Sequence, residues 1–184
     1  MVEGMDALER KFHRPEAGLV VDEGARIAGY ASLFGLPDQG GDVVMPGAYA
    51  RSLARLRAEG RAVKMLWQHD ATQPIGVWDE VVEDERGLRV AGRLLPEVAR
   101  AREAAALIGA GAVDGLSIGF RTVRAAHDAS GRRALIEIDL WEVSLVTFPM
   151  LPEARVEGKA GVRLDLLRML TAALAGARRE LAGR

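Results

Sequence analysis

The stretch from Leu135 to Phe148 constrains this chain more than any other. It reads as one long strand, and its segment Leu140-Trp-Glu-Val-Ser-Leu-Val146 is apolar on both faces, the pattern of a central strand with material packed above and below it. Such a strand needs a sheet around it. The rest of the sequence supplies the pieces: a strand over Arg26–Phe34, a glycine-rich turn at Gly40-Gly41, and a short extended piece at Asp42–Val44. A strand over Val63–Gln68 follows, turned by a loop at Asp70–Gln73, and then a hairpin of Ile75–Val82 with Leu88–Leu95 around Gly87. Pro46 opens a helix with Tyr49, Leu53 and Leu56 at helical spacing, closed by Gly60. Pro96 opens a second, with Val98, Ala101, Ala105 and Ile108 on one stripe and a stop near Gly109 and Gly111. A strand through Asp114–Phe120 and a polar loop at His127–Gly131 lead into the central strand. The fold class expected is α+β and mostly β, a small antiparallel sheet or β-barrel with helices packed outside it.

At 184 residues, with 49% hydrophobic content, the chain can bury one well-formed core, and it carries no internal repeat. Residues 1–24 form a charged N-terminal segment without the apolar run of a signal peptide, 25–156 the body, and 157–184 a connector and a C-terminal helix. In that helix Leu166, Leu170, Ala173, Leu174, Ala177 and Leu181 make an apolar stripe opposite several arginines, suited to docking on the same chain or on a second copy rather than on a separate partner. The 25 basic and 26 acidic residues nearly cancel, so the charge points to neither nucleic acid nor an anionic membrane as partner. No stretch has the length of a membrane span, which suggests a soluble intracellular protein. The absence of cysteine excludes disulfides, thiolate metal sites and a sulfur nucleophile.

Three side chains carry candidate chemistry. In Gly115-Leu-Ser-Ile-Gly-Phe120, strand alternation turns Leu116, Ile118 and Phe120 one way and Gly115, Ser117 and Gly119 the other, so the Ser117 hydroxyl sits on a face cleared of neighbours, as a nucleophile facing a peptide requires. An ordinary tight packing contact explains the same residues. His69 closes the apolar strand in Met65-Leu-Trp-Gln-His-Asp70, where a rigid scaffold opens into a loop, and is the candidate base; its alternative is a turn cap. His13 and His127 lie in polar segments. Glu142 lies among Ile136, Ile138, Leu140 and Val146 by simple alternation and needs a partner there, either His69 or an arginine. Asp139 is a competing acid on the opposite face, and Ser144 shares Glu142's face as a supporting hydroxyl.

Four motifs in order, Gly41-Asp-Val-Val-Met-Pro-Gly-Ala-Tyr49, Gln68-His-Asp70 with Gln73-Pro-Ile-Gly76, Gly115-Leu-Ser-Ile-Gly-Phe120 and Trp141-Glu-Val-Ser-Leu-Val-Thr-Phe-Pro149, resemble the prohead protease family of tailed bacteriophages and related gene-transfer particles. The resemblance covers roughly residues 25 to 156. It implies a serine endopeptidase with a fold similar to the herpesvirus assemblin barrel, with Ser117 as nucleophile, His69 as general base and Glu142 as the acid orienting it. No cofactor is implied. The substrate implied is the N-terminal region of the major capsid protein, with the scaffold and the enzyme itself as further targets, cut inside the prohead in the bacterial host cytoplasm; two copies pairing as a homodimer is left open. The connector Glu157–Gly161 is the expected self-cleavage region.

Other readings stand beside this one. A non-catalytic capsid assembly or scaffolding factor with the same fold would use the tail helix as its binding element. A metal hydrolase would use His69 and Asp70, although metal sites usually draw on more ligands. The assemblin resemblance also points to Gly131-Arg132-Arg133 as an arginine-containing turn near the oxyanion, with a solvated charged turn as its alternative.

Overall fold

The computed structural model describes residues 9–13, 25–128 and 130–148, so the connector and helix expected over 157–184 lie outside the described residues. The segment with two apolar faces forms strand β8 (Arg133–Val146), and the sheet is arranged around it. On one edge it pairs antiparallel with β7 (Gly115–His127), from Gly115↔Val146 to His127↔Arg133. On the other edge it takes β3 (Val43–Val44) and β4 (Lys64–Trp67) as parallel neighbours. Antiparallel ladders then join β4 to β5 (Asp70–Glu83), β5 to β6 (Gly87–Leu94) and β6 to β2 (Arg26–Leu33). At the other end β1 (Glu9–His13), within the N-terminal segment set apart from the body by sequence, pairs antiparallel with β7.

The hydrogen-bonded order is therefore β1-β7-β8-β4-β5-β6-β2, with β3 beside β8. Its two ends, β1 and β2, come into contact but share no ladder, so the sheet curls toward closure without pairing shut among the described residues. The expected small antiparallel sheet or barrel is thus a curled sheet, mostly antiparallel, with β3 and β4 as its parallel joints to β8. The parallel joints have a local cause. A helix separates β3 from β4 and returns the chain to the same end of the sheet, so β4 enters alongside β8 and not against it.

That helix, α1 (Ala50–Ala58), buries Leu53 and Leu56 and packs on β8. It starts later than Pro46 suggests, because Gly47 takes φ +88, a left-handed conformation that interrupts a helix. The Glu83 carboxylate accepts the N–H groups of Gly47 and, at 3.1 Å, of Tyr49, and so satisfies donors that the helix start leaves open. Helix α2 (Ala99–Gly109) lies against β5 and β6 and buries Ala101, Ala104 and Ile108; Ala105 is only half-buried, and Gly111 at φ +72 ends the run. Leu116, Ile118 and Phe120 join Met65, Ile75, Leu135, Val143 and Leu145 in the core, as strand alternation expects. No helix among the described residues is long and apolar enough to cross a membrane.

Simple alternation fails on β8. Phe120 lies opposite Leu140 and Gly119 opposite Glu142, so Trp141 is an extra residue, a β-bulge. The bulge resets the parity: Leu140 faces the core with Phe120, whereas Glu142 faces the other way with Gly119, Ser117 and Ser144. Glu142 thus does not share the face of Leu140 as its numbering implied. Trp141 itself is exposed, with the Arg121 guanidinium over its ring at 5.6 Å.

Candidate active site

Three neighbouring pieces of sheet converge on one point. Ser117 belongs to β7, Glu142 to β8 beside it, and His69 to the turn that leaves β4 on β8's other edge. Because β8 lies between β7 and β4, the hydroxyl and the imidazole come from strands on either side of the one that carries the acid.

The turn carrying His69 is tight. Trp67 pairs with Asp70, which leaves only Gln68 and His69 in the loop, at φ +53 and +61. Positive φ at both central residues matches the twist of a two-residue hairpin of the type usually filled by Asn-Gly. A glutamine and a histidine hold this conformation at a cost of about 1–3 kcal/mol each. Tertiary hydrogen bonds offset it. The Gln68 N–H donates to the Leu145 carbonyl at 2.9 Å, the Gln68 side-chain amide donates to Thr147 Oγ1 at 2.6 Å, and the His69 N–H donates to Ser144 Oγ at 3.1 Å. The turn is clasped onto β8 on both sides of the imidazole.

The loop expected at Asp70–Gln73 is instead a large bulge at the start of β5, where Leu66 pairs with Pro74 while Trp67 pairs with Asp70. Asp70 accepts from the hydroxyl and N–H of Thr72 and from the side-chain amide of Gln73, and the Thr72 hydroxyl above all holds its carboxyl below the usual carboxylate range. Asp70 thus serves its own turn. The metal reading loses its second ligand, and no group of three or more metal-ligating His, Asp or Glu side chains comes together among the described residues.

The imidazole bridges the other two groups. His69 Nδ1 lies 2.5 Å from Glu142 Oε1, and Nε2 lies 2.6 Å from Ser117 Oγ. A carboxylate only accepts, so Nδ1 carries the proton toward Glu142 and Nε2 accepts from the serine hydroxyl. Ser144 completes the arrangement: its hydroxyl donates to Glu142 Oε2 at 2.5 Å while accepting from the His69 N–H. Both carboxylate oxygens are engaged. Ser117 has no exposed surface, Glu142 is 3% exposed and His69 9%, so the relay is shielded from water, where its hydrogen bonds count for most.

The face of β7 expected to be open above Ser117 is occupied. A Cβ on Gly119 would stand 2.0 Å from Glu142 Oε1, so this glycine makes room for the acid of the relay and not for a ligand. Asp139 does not reach the imidazole; it pairs with Arg55 and accepts from Ser52 Oγ at 3.3 Å. The Gly131–Arg133 turn lies at the far end of the β7–β8 hairpin, roughly 30 Å from Ser117 at about 3.3 Å per strand residue. There Arg132 pairs with Asp128, and Arg133 reaches Asp42 through two nitrogens at 3.0 and 2.6 Å, which removes it as an oxyanion arginine. The part Gln68 plays in holding the turn escaped the sequence reading. The one signal for it was its place between an apolar strand and His69, which a two-residue hairpin reading would have used.

Comparison with known proteins places this site in context. The sequence model described as caudovirus prohead serine protease matches residues 13–165. The prohead protease of Enterobacteria phage HK97 is 35% identical over 137 residues, which cover 73% of this chain and 60% of that protein, so the chain spans less than two thirds of its relative's length. Among solved structures, the bacteriophage T4 capsid assembly protease superposes with a TM-score of 0.62 at 15% identity, over 77% of this chain and 98% of that one, and so shares its fold.

Proposed function

The chain belongs to the caudovirus prohead serine protease family, and from that premise we propose that it is a serine endopeptidase of capsid maturation, with Ser117 as nucleophile, His69 as general base and Glu142 as the acid that orients the base. The observation carrying the proposal is the continuous relay from Ser117 Oγ through both nitrogens of His69 to Glu142 Oε1. Its substrate is the N-terminal region of the major capsid protein, with the scaffold and the chain itself as further targets, and its place of action the assembling prohead in the bacterial host cytoplasm. The fold likeness to a capsid assembly protease supports this, and the curled sheet with outer helices suits an assemblin-like barrel.

The chemistry follows from the placement of protons. A serine hydroxyl is a weak nucleophile near neutral pH, so Nε2 of His69 takes its proton as Oγ attacks the scissile carbonyl and returns that proton to the departing amine. Glu142 fixes the tautomer through Nδ1 and stabilises the imidazolium that forms between the two steps. Ser144 keeps the second carboxylate oxygen occupied, so Oε1 stays aimed at Nδ1. Water then repeats the attack on the acyl-enzyme with the same base.

Co-expression of the cognate capsid protein with this chain, wild type or Ser117→Ala, followed by mass measurement of the capsid protein, tests the proposal. The expected outcome is a shortened capsid protein with the wild type alone; equal trimming by both would overturn it.

A further inference from the structure

An extended peptide can bring its scissile bond to Ser117 by adding to the strand that carries it, and β7 has two edges. Beside Ser117 one edge is filled by β8, with Gly115↔Val146, Ser117↔Ser144 and Gly119↔Glu142 in register. An extended peptide therefore has the opposite edge, where the main-chain groups of a strand form a template for another strand. In this structure β1 holds that edge. It pairs antiparallel over Glu9↔Phe120 to His13↔Leu116, and the residue opposite the nucleophile is Phe12. β1 is the terminal strand of the order and has no ladder on its outer side among the described residues. It also lies at the margin of the shared domain, since the family match begins at residue 13, where β1 ends.

We propose that the outer edge of β7 opposite Ser117 is the binding site for an extended substrate peptide, and that β1 occupies it as an intramolecular stand-in, holding the chain inactive until Glu9–His13 withdraws. The inference rests on the serine peptidase reading. It accounts for a nucleophile without exposed surface in an otherwise assembled relay. A substrate segment takes the edge by main-chain hydrogen bonding, so recognition at this position is by extended conformation first and side chains second. The antiparallel direction of β1 gives the direction in which the substrate runs.

The test uses the full chain with Lys11→Pro and Phe12→Pro together. Successive N–H groups of a strand point to opposite edges, so one of the two prolines removes a ladder hydrogen bond in either phase, while β7 and the relay are untouched. The readout is the rate at which a fluorophosphonate forms an adduct on Ser117. A rate about ten-fold or more above wild type is expected from loss of the ladder; an equal or lower rate overturns the inference while leaving the peptidase reading intact. Absence of a Ser117 adduct in both chains sinks both. Should the double variant fail to fold, hydrogen exchange on the wild-type chain before and after reaction with a peptidyl phosphonate decides. Loss of protection at Glu9–His13 with retention along β8 is the expected result, and unchanged protection of β1 contradicts it.

Discussion

Glu142 and Asp139 lie on the same strand, three positions apart, and meet opposite fates. Asp139 faces α1 at the half-exposed rim, beside Arg55 and Ser52, and a second pair of the same kind, Arg51 with Glu137 at 3.2 Å, stands next to it. Glu142 is buried with an imidazole and a hydroxyl and no arginine among its described hydrogen bonds. Simple alternation puts the two on opposite faces, but the bulge at Trp141 resets the parity, so Asp139 opposite Arg121 and Glu142 opposite Gly119 fall on the same side of the sheet. Their neighbours along the strand separate them instead. An acid given arginine at the surface contributes a screened ion pair. An acid given an imidazole and a hydroxyl in a dry site has both of its oxygens committed to fixed partners. What distinguishes the two carboxylates is the partner and the burial.

The largest expected effect breaks the comparison at its chemical end. Ser117→Ala and His69→Ala should each lower peptide turnover by about 10⁴- to 10⁶-fold, as loss of either half of a nucleophile and base pair does. The circular dichroism of both variants is expected to match wild type. Glu142→Gln should cost about 10⁴-fold, because an amide keeps the volume but no longer enforces the tautomer. Asp139→Asn, its counterpart at the structural end, is expected to leave turnover unchanged and to shift stability by about 1 kcal/mol or less, as a surface pair should; a large loss of turnover there would exchange the roles given to the two acids.

Smaller substitutions sharpen the contrast. Gly119→Ala places a methyl group against Glu142 Oε1, and displacing the carboxylate by about 1 Å is expected to cost on the order of 10²-fold in rate, with secondary structure retained. Ser144→Ala leaves the His69 N–H and Glu142 Oε2 each short of a partner, for a loss of about 1–3 kcal/mol in a denaturant titration. A positioning role for Ser144 further requires kcat to fall with KM unchanged in the alanine variant and Ser144→Thr to restore it. An unchanged kcat in the alanine variant would reduce Ser144 to packing.

Much of this site was legible in the sequence, and its limits have physical causes. Ser117 stood out because two glycines cleared its face and three apolar neighbours fixed that face's direction. His69 stood out because it ended an apolar strand, and Glu142 because an acid in so apolar a segment needs a partner. The glycines misled on purpose, since Gly119 makes room for Glu142 and not for substrate. The hairpin at Gln68-His69 was hidden because neither residue favours positive φ; the conformation is held by bonds to Leu145, Ser144 and Thr147, some 75 positions on, as the separation of His69 from Ser144 illustrates. The bulge at Trp141 and the parallel entry of β4 are likewise set by tertiary pairing, which local alternation does not encode. The N-terminal strand read as a charged segment, because its pairing partner lies about a hundred residues downstream.

The relay is tested most directly by mapping, with mass spectrometry of peptide fragments, where a fluorophosphonate attaches in the wild-type, His69→Ala and Asp139→Asn chains. The expected result is a single adduct on the fragment holding Ser117, absent from His69→Ala and retained in Asp139→Asn. An adduct on another serine, or one on Ser117 that forms at the same rate without His69, would contradict the assignment.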